Sequence, residues 1–209
     1  MRLTKSNMVA YSSQEIKLFK KLNSPAKIQD YLNTLKHNKK DTWRSPRNVI
    51  KHKEAYCIEG AILAAAILEF HGHKPLIMDI RGAHPDVDHV VAPFKKNGYW
   101  GAISKTNYAV LRYREPVYKT LRELVMSYFH EYFLDNGVKT LRDYSVPLNL
   151  NKFKKHNWQT SEQSLEDIAE YIDTIKHVSI INKQQIKNLR KADSLEIAVG
   201  KLREWPKKR

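Results

Sequence analysis

Ala55-Tyr-Cys-Ile-Glu-Gly-Ala-Ile-Leu-Ala-Ala-Ala-Ile-Leu-Glu-Phe-His-Gly72 is the stretch on which the fold turns. From residue 61 to residue 68 every side chain is apolar, so a helix here has no wet face and belongs in the core. Three successive alanines keep it slim enough for close neighbours. Gly72 is the residue type that follows the end of such a helix. Cys57, the one cysteine in the chain, falls in its first turn. A helix N-terminus favours a thiolate, and the backbone N–H of such a residue can stabilise an oxyanion, so the position suits a nucleophile. The commoner use of a free cysteine is as a small buried hydrophobe.

Three strands are expected next. Residues 75–80 are short and apolar, and residues 88–94 and 99–104 flank Lys95-Lys-Asn-Gly98, whose Asn-Gly is a strong turn signal. Pro93 cannot donate to a ladder, which suggests an edge or a bulge there. A four-residue loop would pair Phe94 with Tyr99 and set His89 directly across from Ser104. Cross-strand neighbours lie roughly 4.5–5.5 Å apart at Cβ, close enough for a side-chain contact. The pattern therefore predicts a thiol at a helix start, an imidazole opening a strand, and a hydroxyl against the imidazole.

On the N-terminal side, Ser12-Ser-Gln-Glu15, Ser24-Pro25 and Ser45-Pro46 each read as the start of a short helix. On the C-terminal side, Pro116 is expected to start a helix carrying Leu121, Leu124, Val125, Tyr128, Phe129, Tyr132 and Phe133 on one stripe, closed by Gly137. The pattern lapses over 144–158. A domain of residues 1–150 followed by a helical appendage over 151–209 is expected, with a single domain over the whole chain as the alternative. Helix starts in the appendage are expected at Ser164-x-x-Asp167 and Ser194.

The arrangement resembles the transglutaminase-like superfamily, a papain-related set of cysteine enzymes. The resemblance rests on Ser45-Pro-Arg-Asn-Val-Ile50, the stretch 55–72, residues 75–80, Asp88-His89 and Gly98-Tyr-Trp-Gly-Ala-Ile-Ser104, and covers about residues 43–110. It implies an α+β fold with the Cys-bearing helix packed on a small antiparallel sheet, Cys57 as nucleophile and His89 as base. It also implies peptide or amide acyl transfer through a thioester, resolved by water or by an amine. The family's third residue is an acid four positions after a Trp. From Trp100 that position is Ser104, with Asn107 as the alternative orienting residue. Trp43 and Trp100 are candidates for the wall of the site, and Ser45, Arg47 and Asn48 for its rim. A serine in the acidic position also keeps open a fold that has lost catalysis and serves as a binding module.

Charge bears on partners. The chain carries 37 Lys and Arg against 22 Asp and Glu, a net charge of +15. Residues 1–55 hold 13 basic against 4 acidic side chains, residues 56–149 hold 11 against 10, and residues 150–209 hold 13 against 8. The segment with the thiol is thus nearly neutral between basic flanks, which end in Arg203 and Lys207-Lys-Arg209. Such a field attracts nucleic acid, anionic lipid or an acidic protein without choosing among them, and no nucleic-acid-binding motif accompanies it. His71, His73, His84, Asp86, Asp88 and His89 are potential metal ligands, yet HExxH and paired-cysteine spacings are absent, so neither a metal nor another cofactor is expected. No apolar run reaches the roughly 20 residues of a membrane span, the first residues lack a hydrophobic signal core, and a lone cysteine forms no intrachain disulfide. The expected setting is cytoplasmic.

Overall fold

A computed structural model describes residues 10–40 and 42–203. The first residues and Lys207-Lys-Arg209 lie outside the described residues. The chain mixes helix and sheet in an α+β arrangement, about 40% helical and 23% strand.

Three capped helices open the fold. Helix α1 (Ser13–Lys21) begins at a reciprocal box: Ser12 Oγ accepts the Glu15 N–H at 3.2 Å, and Glu15 Oε2 accepts the Ser12 N–H at 2.6 Å. Helix α2 (Pro25–Thr34) follows Ser24, whose hydroxyl accepts from the Lys27 N–H. A short strand β1 (Lys36–His37) comes next, and then α3 (Pro46–His52), capped by Ser45. Strand β2 (Glu54–Ala55) pairs with β1 in parallel and delivers the chain to α4 (Cys57–Phe70). In α4 every residue from Cys57 through Leu68 is buried. Burying an Ile or Leu side chain such as Ile62, Leu63 or Ile67 stabilises the fold by roughly 1.5–3 kcal/mol each.

The main sheet is antiparallel throughout. It is built from β3 (Leu76–Gly82), β4 (His89–Lys96), β5 (Tyr99–Ser104), β6 (Arg114–Tyr118), β7 (Leu141–Ser145), β8 (Leu148–Asn149) and β9 (His177–Ser179). The strand order is β6-β5-β4-β3-β7-β9, with β8 paired to β3. Helix α4 lies on one face, where Ile77, Val90, Ala92, Phe94 and Ile103 join the α1–α4 side chains in one cluster. The other face carries Met78, Ile80, Val91 and Ala102 beneath α5 (Leu121–Met126) and the Phe129–Glu131 turn.

Several expectations are corrected. The turn between β4 and β5 has two residues, Asn97 and Gly98, both at positive φ (51° and 87°), the geometry of a tight hairpin. Lys96 therefore pairs with Tyr99 and Val91 with Ser104, two residues away from the expected register. His89 pairs instead with Ile80 of β3. Pro93 lies in an interior strand but beyond the paired stretch Met78–Ile80 of β3, where β4 has a neighbour on its β5 side. Pro116 sits inside β6, at the sheet's edge, not at a helix start. The helix after it is six residues long and begins at a Thr120 cap.

The boundary expected near residue 150 cuts through continuous packing. Trp158, Leu165, Ile168 and Ile172 belong to the same cluster as Phe19 and α4, and β9 extends the main sheet. Ser164 does not cap α6 (Glu166–Thr174), whose N-cap position is Leu165. Two further helices, α7 (Lys183–Lys187) and α8 (Ser194–Gly200), close the described chain, with Asp193 and not Ser194 as the cap of α8.

Candidate active site

Cys57 is the first residue of α4, and the first turn of that helix is fixed from below. Glu59 is fully buried, and its carboxylate accepts from Asn38 Nδ2 at 3.1 Å, Thr42 Oγ1 at 2.7 Å, the Arg44 N–H at 2.9 Å and the Tyr56 N–H at 2.7 Å. Four donors satisfy a carboxylate that would otherwise be costly to bury. The loop 38–44 and the start of α4 are thereby tied to one another.

The thiol lies against the backbone of Val90 and Ile58 and the Tyr56 side chain. Val90 follows His89 in the chain, so Cys57 meets β4 one residue past the imidazole's own. Burial, and then the nearby Asp86, Asp88 and Asp79, push the hydroxyl of Tyr132, from the far-face cluster, upward. Cys57 and Tyr132 line one cleft.

His89 opens β4 and shares the far face with Ile80 and Val91. Its Nε2 is 2.8 Å from Ser104 Oγ, and Ser104 Oγ donates to the Leu111 carbonyl at 2.6 Å. The predicted contact is present although the predicted register is not. A shift of two residues keeps both side chains on one face and turns a directly opposed pair into a diagonal one.

Burial governs both titrations. It pushes the Cys57 thiol up to about 11, partly offset by the Val90 and Ile58 backbone bonds. It pulls His89 down to about 4, with the Leu111 carbonyl opposing and the Arg114 charge assisting. Near pH 7 these directions favour a neutral thiol and a neutral imidazole over a thiolate and an imidazolium.

Both side chains line a cleft of about 1100 Å³. Lys39, Lys40 and Lys201 face it together with Asp86, Asp88 and Asp135, so it is mixed in charge and does not concentrate the basic excess of the chain. Asn107 lines the same cleft, but the hydroxyl on the imidazole is that of Ser104. Asp88 does not hold the imidazole: its Oδ1 accepts the Gly82 N–H at 3.0 Å. Asp86 bonds to Thr140 and to the Val87 N–H.

Trp43 and Trp100 do not wall this cleft. Trp43 packs on the α4 cluster and borders a separate small pocket with Thr42 and Asn48. Trp100 packs on the far-face cluster with Lys95 over its ring at 5.4 Å. Ser45 and Arg47 are structural: Ser45 Oγ donates to the Ser161 carbonyl, and Arg47 pairs with Glu15 at 2.9 Å. His71 Nε2 bonds to the Phe19 carbonyl. Among the described residues no group of three His, Cys, Asp or Glu side chains is gathered as metal ligands.

The sequence reading missed Glu59, Leu111, Glu131 and Tyr132. Glu59 carried a usable signal, an acid in the first turn of an otherwise apolar helix. Leu111 and Glu131 carried none, because their part depends on a backbone turn that no glycine marks. Compared with known proteins, the chain matches no protein-family model and no curated sequence.

Proposed function

We propose that this protein is a thiol-dependent acyl-transfer enzyme or amide hydrolase of transglutaminase-like, papain-related architecture, with Cys57 as nucleophile and His89 as base. The observation that carries this reading is the contact of Cys57 with the backbone of Val90, the residue after His89, together with the cleft that Cys57 and His89 both line. The neutral imidazole takes the thiol proton as sulfur attacks an amide or ester carbonyl. First-turn amides of α4, including that of Cys57, are without intrahelical partners and suit the developing oxyanion. His89 then protonates the leaving group, and water or an amine resolves the thioester.

The test is the pH profile of Cys57 alkylation by iodoacetamide. If His89 accepts the proton, the reactive pair forms from two neutral groups, and the rate should stay level from roughly pH 5 to pH 9. In His89→Ala only the free thiolate reacts, and the rate should climb about tenfold per pH unit over that range. A wild-type profile that climbs just as steeply removes the base from the mechanism.

One observation favours a second reading, that of a catalytically silent member of the same architecture serving as a basic binding module. The third position is a serine, and thiol and imidazole are displaced in opposite directions, which holds the resting pair uncharged. Superimposable profiles for the two proteins would support this reading.

A further inference from the structure

The imidazole of His89 rests on a hydroxyl, and that hydroxyl rests on a single carbonyl. Because the Leu111 oxygen can only accept, Ser104 Oγ must give it its hydrogen, across 2.6 Å. The lone pairs of Oγ are then what His89 Nε2 meets at 2.8 Å, so Nε2 carries the ring proton. The basic nitrogen is Nδ1. A choice of tautomer has thus been passed along two bonds to the position of one backbone oxygen.

Leu111 is an unusual residue to set that oxygen. Its φ is +59°, in the left-handed region that a leucine rarely occupies. No glycine or asparagine chemistry explains the turn, so the surroundings must impose it. Glu131 does so: its Oε2 accepts the Leu111 N–H at 2.8 Å. The same oxygen accepts from Arg114 Nη2 at 2.6 Å. Arg114 is itself pinned, with Nε donating to Ser127 Oγ at 2.9 Å and the guanidinium 4.1 Å over the Tyr128 ring. Glu131 closes the turn Phe129–Glu131, and the next residue, Tyr132, donates its hydroxyl to the Ile80 and Val87 carbonyls. The residue next to Glu131 is thereby tied to β3 and to the segment leading into β4.

We propose that Glu131 is a positioning residue for His89: by holding Leu111 left-handed it aims the Leu111 carbonyl at Ser104, and Ser104 locks the imidazole with its proton on Nε2. The carboxylate that the third position lacks is present, but it acts through a backbone turn and a hydroxyl. Its charge is engaged by Arg114, so it orients the ring without adding negative charge beside it. A directly bonded acid would do both. The lowered pKa of His89 agrees with orientation alone. The catalytic meaning of this device rests on the thiol–imidazole reading above; the tautomer lock itself does not.

The experiment uses the full chain with ¹⁵N-labelled histidine. The ring ¹⁵N shifts of His89 report which nitrogen bears the proton, and wild type should show the Nε2–H form. Glu131→Ala should release Leu111 from the left-handed region and leave a mixture of tautomers. Glu131→Gln keeps an oxygen for the Leu111 N–H and should restore the Nε2–H form. In parallel, the level alkylation rate of Cys57 should fall roughly five- to tenfold in Glu131→Ala, the scale of one net hydrogen bond, and recover in Glu131→Gln.

A purely structural Glu131 would lower stability in both variants and leave the tautomer unchanged, which overturns the proposal. Should Glu131→Ala fail to fold, Ser104→Ala removes only a hydroxyl, and retention of the pure Nε2–H form there overturns the proposal equally. The two readings fail separately. Alkylation insensitive to His89→Ala ends the enzyme reading, whereas the tautomer response to Glu131→Ala is read from the ring whatever the thiol does.

Discussion

Asp79 and His177 share a buried contact with room for one proton between them. Asp79 Oδ2 lies 3.2 Å from His177 Nε2, and His177 Nδ1 donates to the Ile175 carbonyl at 2.8 Å. Nε2 can therefore accept from a protonated Asp79, or donate to an ionised one if the ring is charged. Burial above all, then the neighbouring Asp88, pushes Asp79 up to about 7, with His177 opposing. The folded chain then holds a proton that the unfolded chain has released between about pH 4 and about pH 7, so this group lowers stability as pH rises through that window. His89 acts in the opposite sense: its folded pKa is depressed to about 4, so stability is lost as pH falls from its ordinary value near 6.5. Asp79→Asn keeps an N–H for His177 Nε2 and removes the charge. Because His89 contributes equally to both proteins, the variant should gain on the order of 4 kcal/mol over wild type between pH 4 and pH 8. Urea midpoints at the two pH values measure this, and parallel curves would mean that Asp79 titrates as an ordinary carboxylate.

Helix α4 closely approaches Lys105, the residue that follows β5, through Gly60. A Cβ at that position would lie 2.4 Å from the Lys105 Cβ. In an exposed helix Gly→Ala would stabilise by about 1 kcal/mol. Here overpacking should dominate, and Gly60→Ala should destabilise by about 1–3 kcal/mol, read from thermal unfolding; a higher midpoint would show that the segment at Lys105 gives way. The helix and the β4–β5 hairpin were legible in the sequence because each has one strong local cause, unbroken apolarity in the first and Asn-Gly in the second. Strands β6, β7 and β9 were not. Pro116 suits an edge strand as well as a helix start, and β7 pairs with β3 across an irregularity at Arg81/Gly82 that disturbs strict alternation. The His89–Ser104 contact survived a wrong register because face depends only on whether a shift is even. Glu131 stayed hidden because it reaches His89 through the conformation of Leu111 and the Ser104 hydroxyl, which no residue pattern announces.

At the scale of the whole molecule, the last third of the chain completes the core. Trp158 and Ile168 are fully buried and Ile172 nearly so, against the cluster built on α4, while β9 pairs with β7 over Asp143–Ser145. A chain ending at residue 150 should therefore not fold cooperatively, and its near-ultraviolet dichroism and amide dispersion should be those of an unfolded or molten chain. A dispersed spectrum from that fragment would establish residues 1–150 as an autonomous unit.

The absence of a wet face on α4 has a consequence in time. A ribosome makes α4 before β3, β4 and β5, and finishes Ile172 roughly 100 residues after Phe70. At about 5–20 residues per second, this greasy segment waits between several and some twenty seconds for its last partners. During that interval it is the part of the nascent chain most in need of a chaperone's cover.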